Sequence, residues 1–264
     1  MLPTNKNLRM NTAYKFHGAG NDFILIDCFE KKELFSEKEI EALCNRHTGI
    51  GADGLILIEK TNKASFKMIY FNSDGKEAEM CGNGARCAFA FAFSKKYCTI
   101  NDSFEASDGL HMGSIIQNNT HDWIVRITLN VNIEPREIED GSFFANTGVP
   151  HNVRITKNVS GIDVKTEGLK LRYNKKLFPD GANINFVEIK DNELYIRTYE
   201  RGVEEETLAC GTGITASALV ANAFFGLKFP ITIHAIGGLL RVEKQNGWLW
   251  LEGPASHVFT SNYF

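Results

Sequence analysis

Apolar positions recur along the chain at two periods, and the changes between them mark out the expected elements. Residues 14–27 (YKFHGAGNDFILID) read as strand, glycine-rich loop and strand, with an apolar run of strand length at 23–26. Residues 36–44 (SEKEIEALC) carry a Ser-x-x-Glu capping box ahead of apolar residues at helical spacing, which predicts a helix. A glycine-dense loop at 46–54 leads to strands at 55–58 and 66–71 and a turn at 72–75. Residues 88–93 alternate Ala and Phe with period two and pass for a strand on pattern alone. Alanine is a poor strand former and a good helix former, and a matching run near residue 214 reads as a helix, so a helix is predicted here too.

Beyond Tyr97 the pattern turns to β. Strands are expected at 99–106, 109–117 and 123–131, then a polar crossing around Pro135 that runs to Gly141. The second half predicts a strand at 141–146, a turn at 147–152, a short helix near 161–168 and a loop at 177–181. Strands follow at 184–189 and 194–199, then a loop at 200–202, and finally strands at 231–235, 239–242 and 248–251.

Two stretches echo one another across this frame. Met80-Cys81-Gly82-Asn83-Gly84-Ala85-Arg86-Cys87 and Leu208-Ala209-Cys210-Gly211-Thr212-Gly213 each present a cysteine, a Gly-x-Gly turn and an alanine-rich apolar run. Each half is then β-rich with a helix that starts at a cysteine, an internal duplication at about half-chain period and too long for a solenoid. A cysteine at a helix N-terminus meets free N–H groups and the positive end of the dipole. These favour a thiolate well below the free value of about 8.5 and can hold a carboxylate. The plain alternative is a small buried residue beside a glycine turn, which two copies in one chain make harder to sustain.

Composition narrows the partners. The 264 residues suffice for one large domain or two modest ones, and 43% hydrophobic with 23% charged residues is ordinary for a soluble protein. A net charge of −3 leaves no basic footprint for nucleic acid. No apolar run approaches a membrane span, and the polar opening MLPTNKNLRMN is unlike a signal peptide, so no membrane partner and a cytoplasmic location are expected. Six cysteines without a CxxC pair, the nearest two being Cys81 and Cys87, point to reduced thiols and to no metal.

If the two cysteines face one cleft, a thiolate on one side and a thiol on the other can remove a proton from a carbon and return one to the opposite face, inverting it. An amino-acid α-proton is weakly acidic, so the incipient carbanion needs preorganised donors around its carboxylate in a dry site. Two helix N-termini supply these without any cofactor.

The segments FHGAGNDFILID, GIGADGLILIE, FNSDGKEAEMCGNGARC, TGVPH, PDGANINFVEI and TYERGVEEETLACGTG together resemble the diaminopimelate epimerase family, in the family's order over most of the chain. The resemblance implies an α+β fold of two pseudo-symmetric lobes, each a β-barrel-like sheet around a central helix. The lobes are expected at residues 1–130 and 131–252, with 253–264 returning to the first. It implies a pyridoxal-independent isomerase that interconverts LL- and meso-diaminopimelate in the pathway to lysine, with that small molecule as partner and a homodimer as a candidate assembly. By motif, Cys81 and Cys210 are the acid/base pair, and Gly82, Asn83, Gly211 and Thr212 line the carboxylate at the reacting centre. Asn21, Asn72, Asn183, Glu200 and Arg201 contact the substrate, with Arg201 suited to pair bidentately with its distal carboxylate. His151 and Glu200 stand near the thiols, where they tune protonation.

Two positions depart from the family pattern. Val149 stands where many members have Asn, and Gly54 where some have Gln, both toward the distal end of the substrate. Two other readings compete: a racemase or epimerase of another amino acid, such as a proline-type substrate, and a thiol redox or binding protein. Against the last, neither cysteine has a resolving partner at C-x-x-C spacing.

Overall fold

The structure is a computed structural model that describes residues 11–131 and 134–263. The polar opening stretch and the expected first ten residues of the first lobe lie outside the described residues, as does Phe264.

β1 (Asn11–Gly18) and β2 (Asn21–Cys28) pair antiparallel, and the two residues between them, Ala19 and Gly20, hold φ of 53° and 84°. Positive φ at both positions matches the twist of a two-residue hairpin, which is what the expected glycine-rich loop becomes. α1 (Glu37–Cys44), with Ser36 and Glu39 forming the full capping box, crosses to β3 (Gly54–Glu59), parallel to β2. β4 (Phe66–Asn72) returns antiparallel, and α2 (Gly82–Ser94) crosses to β5 (Asn101–Ala106), parallel to β4. β6 (Gly109–Asn118) and β7 (Asp122–Leu129) follow antiparallel.

After the short edge strand β8 (Arg136–Glu137), the same order of senses recurs. β9 (Phe143–Asn146) and β10 (Pro150–Thr156) pair antiparallel, and α3 (Val164–Arg172) crosses to β11 (Asn183–Lys190), parallel to β10. β12 (Glu193–Glu200) returns antiparallel and takes β13 (Glu205–Thr207) on part of its length. α4 (Gly211–Phe225) then crosses to β14 (Ile231–Ala235), parallel to β12, and β15 (Gly238–Gln245) and β16 (Trp248–Tyr263) close antiparallel. The half-chain duplication expected from the cysteine motifs therefore extends to strand order, sense and crossovers.

β16 joins the halves. Its first residues pair with β15 and with β7, and its last with β1, which closes β1 through β7 and β16 into a ring around α2. The remaining strands curve from β16 around α4. The fold is α+β, two barrel-like lobes each built on a central helix.

Three expected boundaries are corrected. The last strand, expected at 248–251, runs to Tyr263 through Gly253 and Pro254. Pro254 falls where β16 pairs only with β7, after β15 ends and before β1 begins, so one side of the ladder needs no N–H there. The expected turn at 147–152 gives way at Pro150 to β10, because β9 and β11 supply ladder partners on both sides of His151. The helix near 161–168 is shifted to Val164–Arg172: Asp163 caps it through the Thr166 N–H, and Gly168, expected at its end, packs inside against Tyr199.

α2 is buried on every side from Gly82 to Ala92. Phe89 packs against Phe66 and Phe104, and Phe91 against Tyr14 and Phe16. A helix with no wet face has no polar stripe to show, so the Ala/Phe alternation of 88–93 carried no strand meaning. Truncating the fully buried Phe89 to Ala removes packing that the closed ring cannot refill. Urea unfolding of Phe89→Ala is expected to show a loss of about 3–5 kcal/mol, against about 0.5 kcal/mol or less for Leu34→Ala at an 86% exposed site.

Candidate active site

Both motif cysteines are helix N-caps. Cys81 (φ −97°, ψ 120°) and Cys210 (φ −109°, ψ 108°) hold the same extended conformation, and their carbonyls accept the first helical bonds from Ala85 (2.8 Å) and Ile214 (2.9 Å). The helices meet start to start. A Cβ on Gly211 would stand 3.7 Å from Gly82 Cα, and a Cβ on either glycine would press on the buried Leu251 Cδ2, at 3.0 Å from Gly82 and 3.1 Å from Gly211. Glycine at both places leaves this approach free of a side chain that would displace the Leu251 methyl.

A chain of amides orders the Cys81 side. Asn21 Oδ1 accepts from the Cys81 thiol (3.7 Å) and from Asn83 Nδ2 (3.3 Å), while Asn21 Nδ2 donates to Asp53 Oδ2 (2.7 Å). Arg46 bridges Asp53 (2.7 Å) and Asp22, and with Lys15 it holds the Asp22 carboxyl well below its ordinary range against the opposing effect of burial. Asn83 Nδ2 also donates to the Ala209 carbonyl (2.9 Å), tying this side to the residue before Cys210. Asn72 lies exposed at the end of β4, opposite Gly54.

On the other side, the Cys210 thiol meets Thr212 Oγ1 at 3.4 Å, and Thr147 Oγ1 donates to the Thr212 carbonyl (2.9 Å). Glu200, the last residue of β12, accepts from Thr207 Oγ1 (2.9 Å). Asn183 Oδ1 accepts the Arg201 N–H (2.7 Å), and Arg201 Nη1 donates to the Asp180 carbonyl (3.2 Å). Among the described residues the Arg201 guanidinium is paired with no carboxylate. His151 is fully buried, with Asn185 Nδ2 3.1 Å from its Nδ1 and Asn183 Nδ2 3.5 Å from its Nε2. Asn185 is itself held by Thr198 Oγ1 (3.0 Å) and the Asn152 carbonyl (3.0 Å).

The charge balance at the thiols corrects one expectation. Helix position alone predicts thiolates of depressed pKa, and the Gly84 and Asn83 N–H groups do act in that sense on Cys81, as do the Gly213 N–H and the Thr212 hydroxyl on Cys210. Burial outweighs them, and the Glu200 carboxylate adds to it, so both thiols are pushed up. Burial likewise raises Glu200.

Several residues at the site carried no role in the sequence. Asp53 and Arg46 lay in the glycine-dense loop after α1, where nothing marked them as partners of Asn21. Asn185 stands two residues from Asn183, and asparagines at i and i+2 of a buried strand were its available signal. Tyr70 shares the Phe66, Met68 and Asn72 face of β4, and its ring stands 2.6 Å from where a Gly54 Cβ would lie, so at position 54 the structure has an aromatic ring in place of a longer side chain. Val149 sits in the turn between β9 and β10 and gives its carbonyl to Thr147 N–H (3.2 Å).

Burial, with Arg201 adding to it, holds His151 down to about 3 from an ordinary 6.5. Between those values the unfolded chain binds a proton that the folded chain refuses. Stability from this residue is therefore full above about pH 6.5 and is lost as pH falls toward 3, at up to about 1.4 kcal/mol per pH unit. Urea unfolding between about pH 4 and 6.5 is expected to show this slope in the wild type and a flatter one in His151→Gln. Parallel slopes would mean that His151 is charged in the folded chain.

Residues 13–125 and 143–258 match the family described as diaminopimelate epimerase. A diaminopimelate epimerase of Flavobacterium psychrophilum is 44% identical over 256 residues, covering 93% of this chain and 97% of that protein. One of Chlorobaculum tepidum is 40% identical over 264 residues, covering 92% and 97%. A crystal structure of a hydroxyproline epimerase from Agrobacterium vitis shares the fold at 14% identity, with a TM-score of 0.70 over 98% of this chain and 93% of that one. This chain, an isomerase, belongs to the diaminopimelate epimerase family.

Proposed function

We propose that the chain interconverts LL- and meso-diaminopimelate by two-base proton transfer between Cys81 and Cys210, with no cofactor. The observation that carries this reading is the start-to-start meeting of two cysteine-capped helices. One cysteine, as thiolate, takes the α-proton, so that a C–H bond breaks and an S–H bond forms. The opposite thiol then gives its proton to the other face of the carbon and becomes the thiolate. The pair ends with roles exchanged, which is the state required for the reverse reaction.

The raised thiol pKa values serve this step. A thiolate that is costly to form in the empty site is a stronger base once formed, closer to what an amino-acid α-carbon demands. N–H groups of Gly82, Asn83, Gly211 and Thr212 at the two helix starts receive the substrate carboxylate, whose charge grows as the proton leaves. Glu200 lies where it favours the protonated form of Cys210, and Arg201, with no carboxylate partner among the described residues, takes the distal carboxylate. Asn21 and Asn72 reach the substrate from the first lobe. Asn183 Oδ1 holds Arg201 in place by accepting its backbone N–H, and neutral His151 lies between the Asn183 and Asn185 amides. The same reading divides the lobes at residues 130 and 131 and returns 253–264 to the first, which the β1–β16 pairing supports.

Reduced protein in deuterated water, with diaminopimelate and no added cofactor, is expected to place label at one α-carbon, whereas proline is expected to remain unlabelled. Absence of exchange into diaminopimelate would sink the proposal, and labelling of proline alone would move it to another amino acid. Cys81→Ala and Cys210→Ala are each expected to lower turnover by roughly 10²–10⁴-fold with the circular dichroism spectrum unchanged. Full turnover in either variant would refute the two-base assignment.

A further inference from the structure

The first turns of α2 carry a cation that the acid/base reading leaves unused. Arg86 is the largest fully buried side chain among the described residues, at 0% exposure. Its Nε donates to the Pro254 carbonyl (3.3 Å), its Nη1 to the Gly82 carbonyl (3.2 Å) and its Nη2 to Asn83 Oδ1 (2.9 Å). All three acceptors are neutral, and among the described residues no carboxylate pairs with it. A buried charge without a counter-charge is unfavourable, and near the N-terminus of a helix the dipole opposes a cation as well. Hydrogen bonds to two carbonyls and an amide do not by themselves require a full charge, so the charge calls for an anion that the resting protein does not hold beside it.

The ionisable groups acting on Cys81 and its neighbours are Glu200 from β12, Cys210 from the head of α4 and Tyr70 from β4, with Asp53 acting on Tyr70 and Asp22 on Cys87. Each is neutral or negative, and the two aspartates carry their own cations, Lys15 and Arg46 on Asp22 and Arg46 on Asp53. Arg86 is the cation acting on Cys81, and hydrogen bonds join the two: Arg86 Nη2 donates to Asn83 Oδ1, Asn83 Nδ2 donates to Asn21 Oδ1 (3.3 Å), and the Cys81 thiol donates to that same Asn21 oxygen (3.7 Å). Through Asn83, which it anchors, the guanidinium also reaches the Ala209 carbonyl next to Cys210.

We propose that Arg86 is a positioning residue whose guanidinium is the internal counter-charge of the Cys81 thiolate, set inside the helix so that it favours the thiolate without touching the substrate. This rests on Cys81 serving as acid and base. The electrostatics run in the same direction. Burial holds Arg86 down to about 10, ionisation of Cys81 or Cys87 would raise it again, and Arg86 in turn lowers Cys81 against the burial that pushes it up.

The test is alkylation of Cys81 and Cys210 by iodoacetamide, resolved by peptide mass spectrometry in the substrate-free full chain from about pH 7 to about 10. It needs no turnover. Wild type that fails to exchange diaminopimelate protons would therefore count against the proposed function, while the alkylation pattern alone decides the role of Arg86. Arg86→Gln is expected to slow Cys81 about tenfold relative to Cys210 near pH 8 and to move the Cys81 profile up by about one pH unit. Arg86→Lys keeps the charge and loses the planar fork, and is expected to hold the Cys81 to Cys210 ratio within about threefold of wild type. An unchanged ratio in Arg86→Gln would overturn the proposal. So would Arg86→Lys behaving like Arg86→Gln, since that would assign the role to the hydrogen-bonded fork. Should Arg86→Gln not fold, Arg86→Met takes its place as the variant without charge: a Cys81 slowed about tenfold relative to Cys210 supports the proposal and an unchanged ratio overturns it.

Discussion

Two helix N-termini aimed at each other inside a protein form an unfavourable pair, and the rest of this structure is arranged around that fact. Each end presents unpaired N–H groups and a positive pole, so bringing them together raises a potential that only an anion relieves. At both ends the sequence puts a cysteine at the cap and glycine directly after it, which lets the helices approach to the contact seen between Gly211 and Gly82. Burial keeps the thiols protonated, so the resting site holds donors and no matching negative charge of its own beyond Glu200. In the proposed reaction an amino-acid carboxylate supplies that charge.

The duplicated topology makes the meeting possible. Parallel neighbours require a crossover, and in each half the second crossover is a helix that passes through the interior of its own sheet. Equivalent crossovers in equivalent positions place equivalent ends, and β16 sets them against each other by belonging to both sheets. Leu251, on that strand, lies beneath both glycines, so the joining element is also the floor of the contact.

Around this centre the polar groups form two ordered sets, one on each side. One runs from Arg46 through Asp53 and Asn21 to the Cys81 thiol, and the other from Thr198 through Asn185 to His151. Each amide is oriented by a neighbour that can act only as donor or only as acceptor, which fixes the direction of the hydrogen bonds it presents. Such order costs nothing at the moment of reaction, which is the advantage of a preorganised site over water.

The local signals in the sequence were those with a short-range cause. The Ser36 capping box specified α1, alternation and turn residues marked most strands, and two Cys-Gly-x-Gly stretches ahead of alanine-rich runs identified both N-caps and the duplication. Features with a distant cause were hidden. Pro254 reads as a breaker because nothing nearby says that its side of the ladder is free, and His151 reads as a turn residue until β9 and β11 flank it. The thiol expectation failed for the same reason: a helix dipole is encoded by adjacent residues, whereas desolvation depends on everything that packs over the sulfur. The sequence by itself determined which residues stand at the two helix starts and that they form a pair. Tertiary structure alone decided that the two starts face one another, that burial outweighs the dipole, and that Arg86 is enclosed with them, because each of these depends on long-range packing.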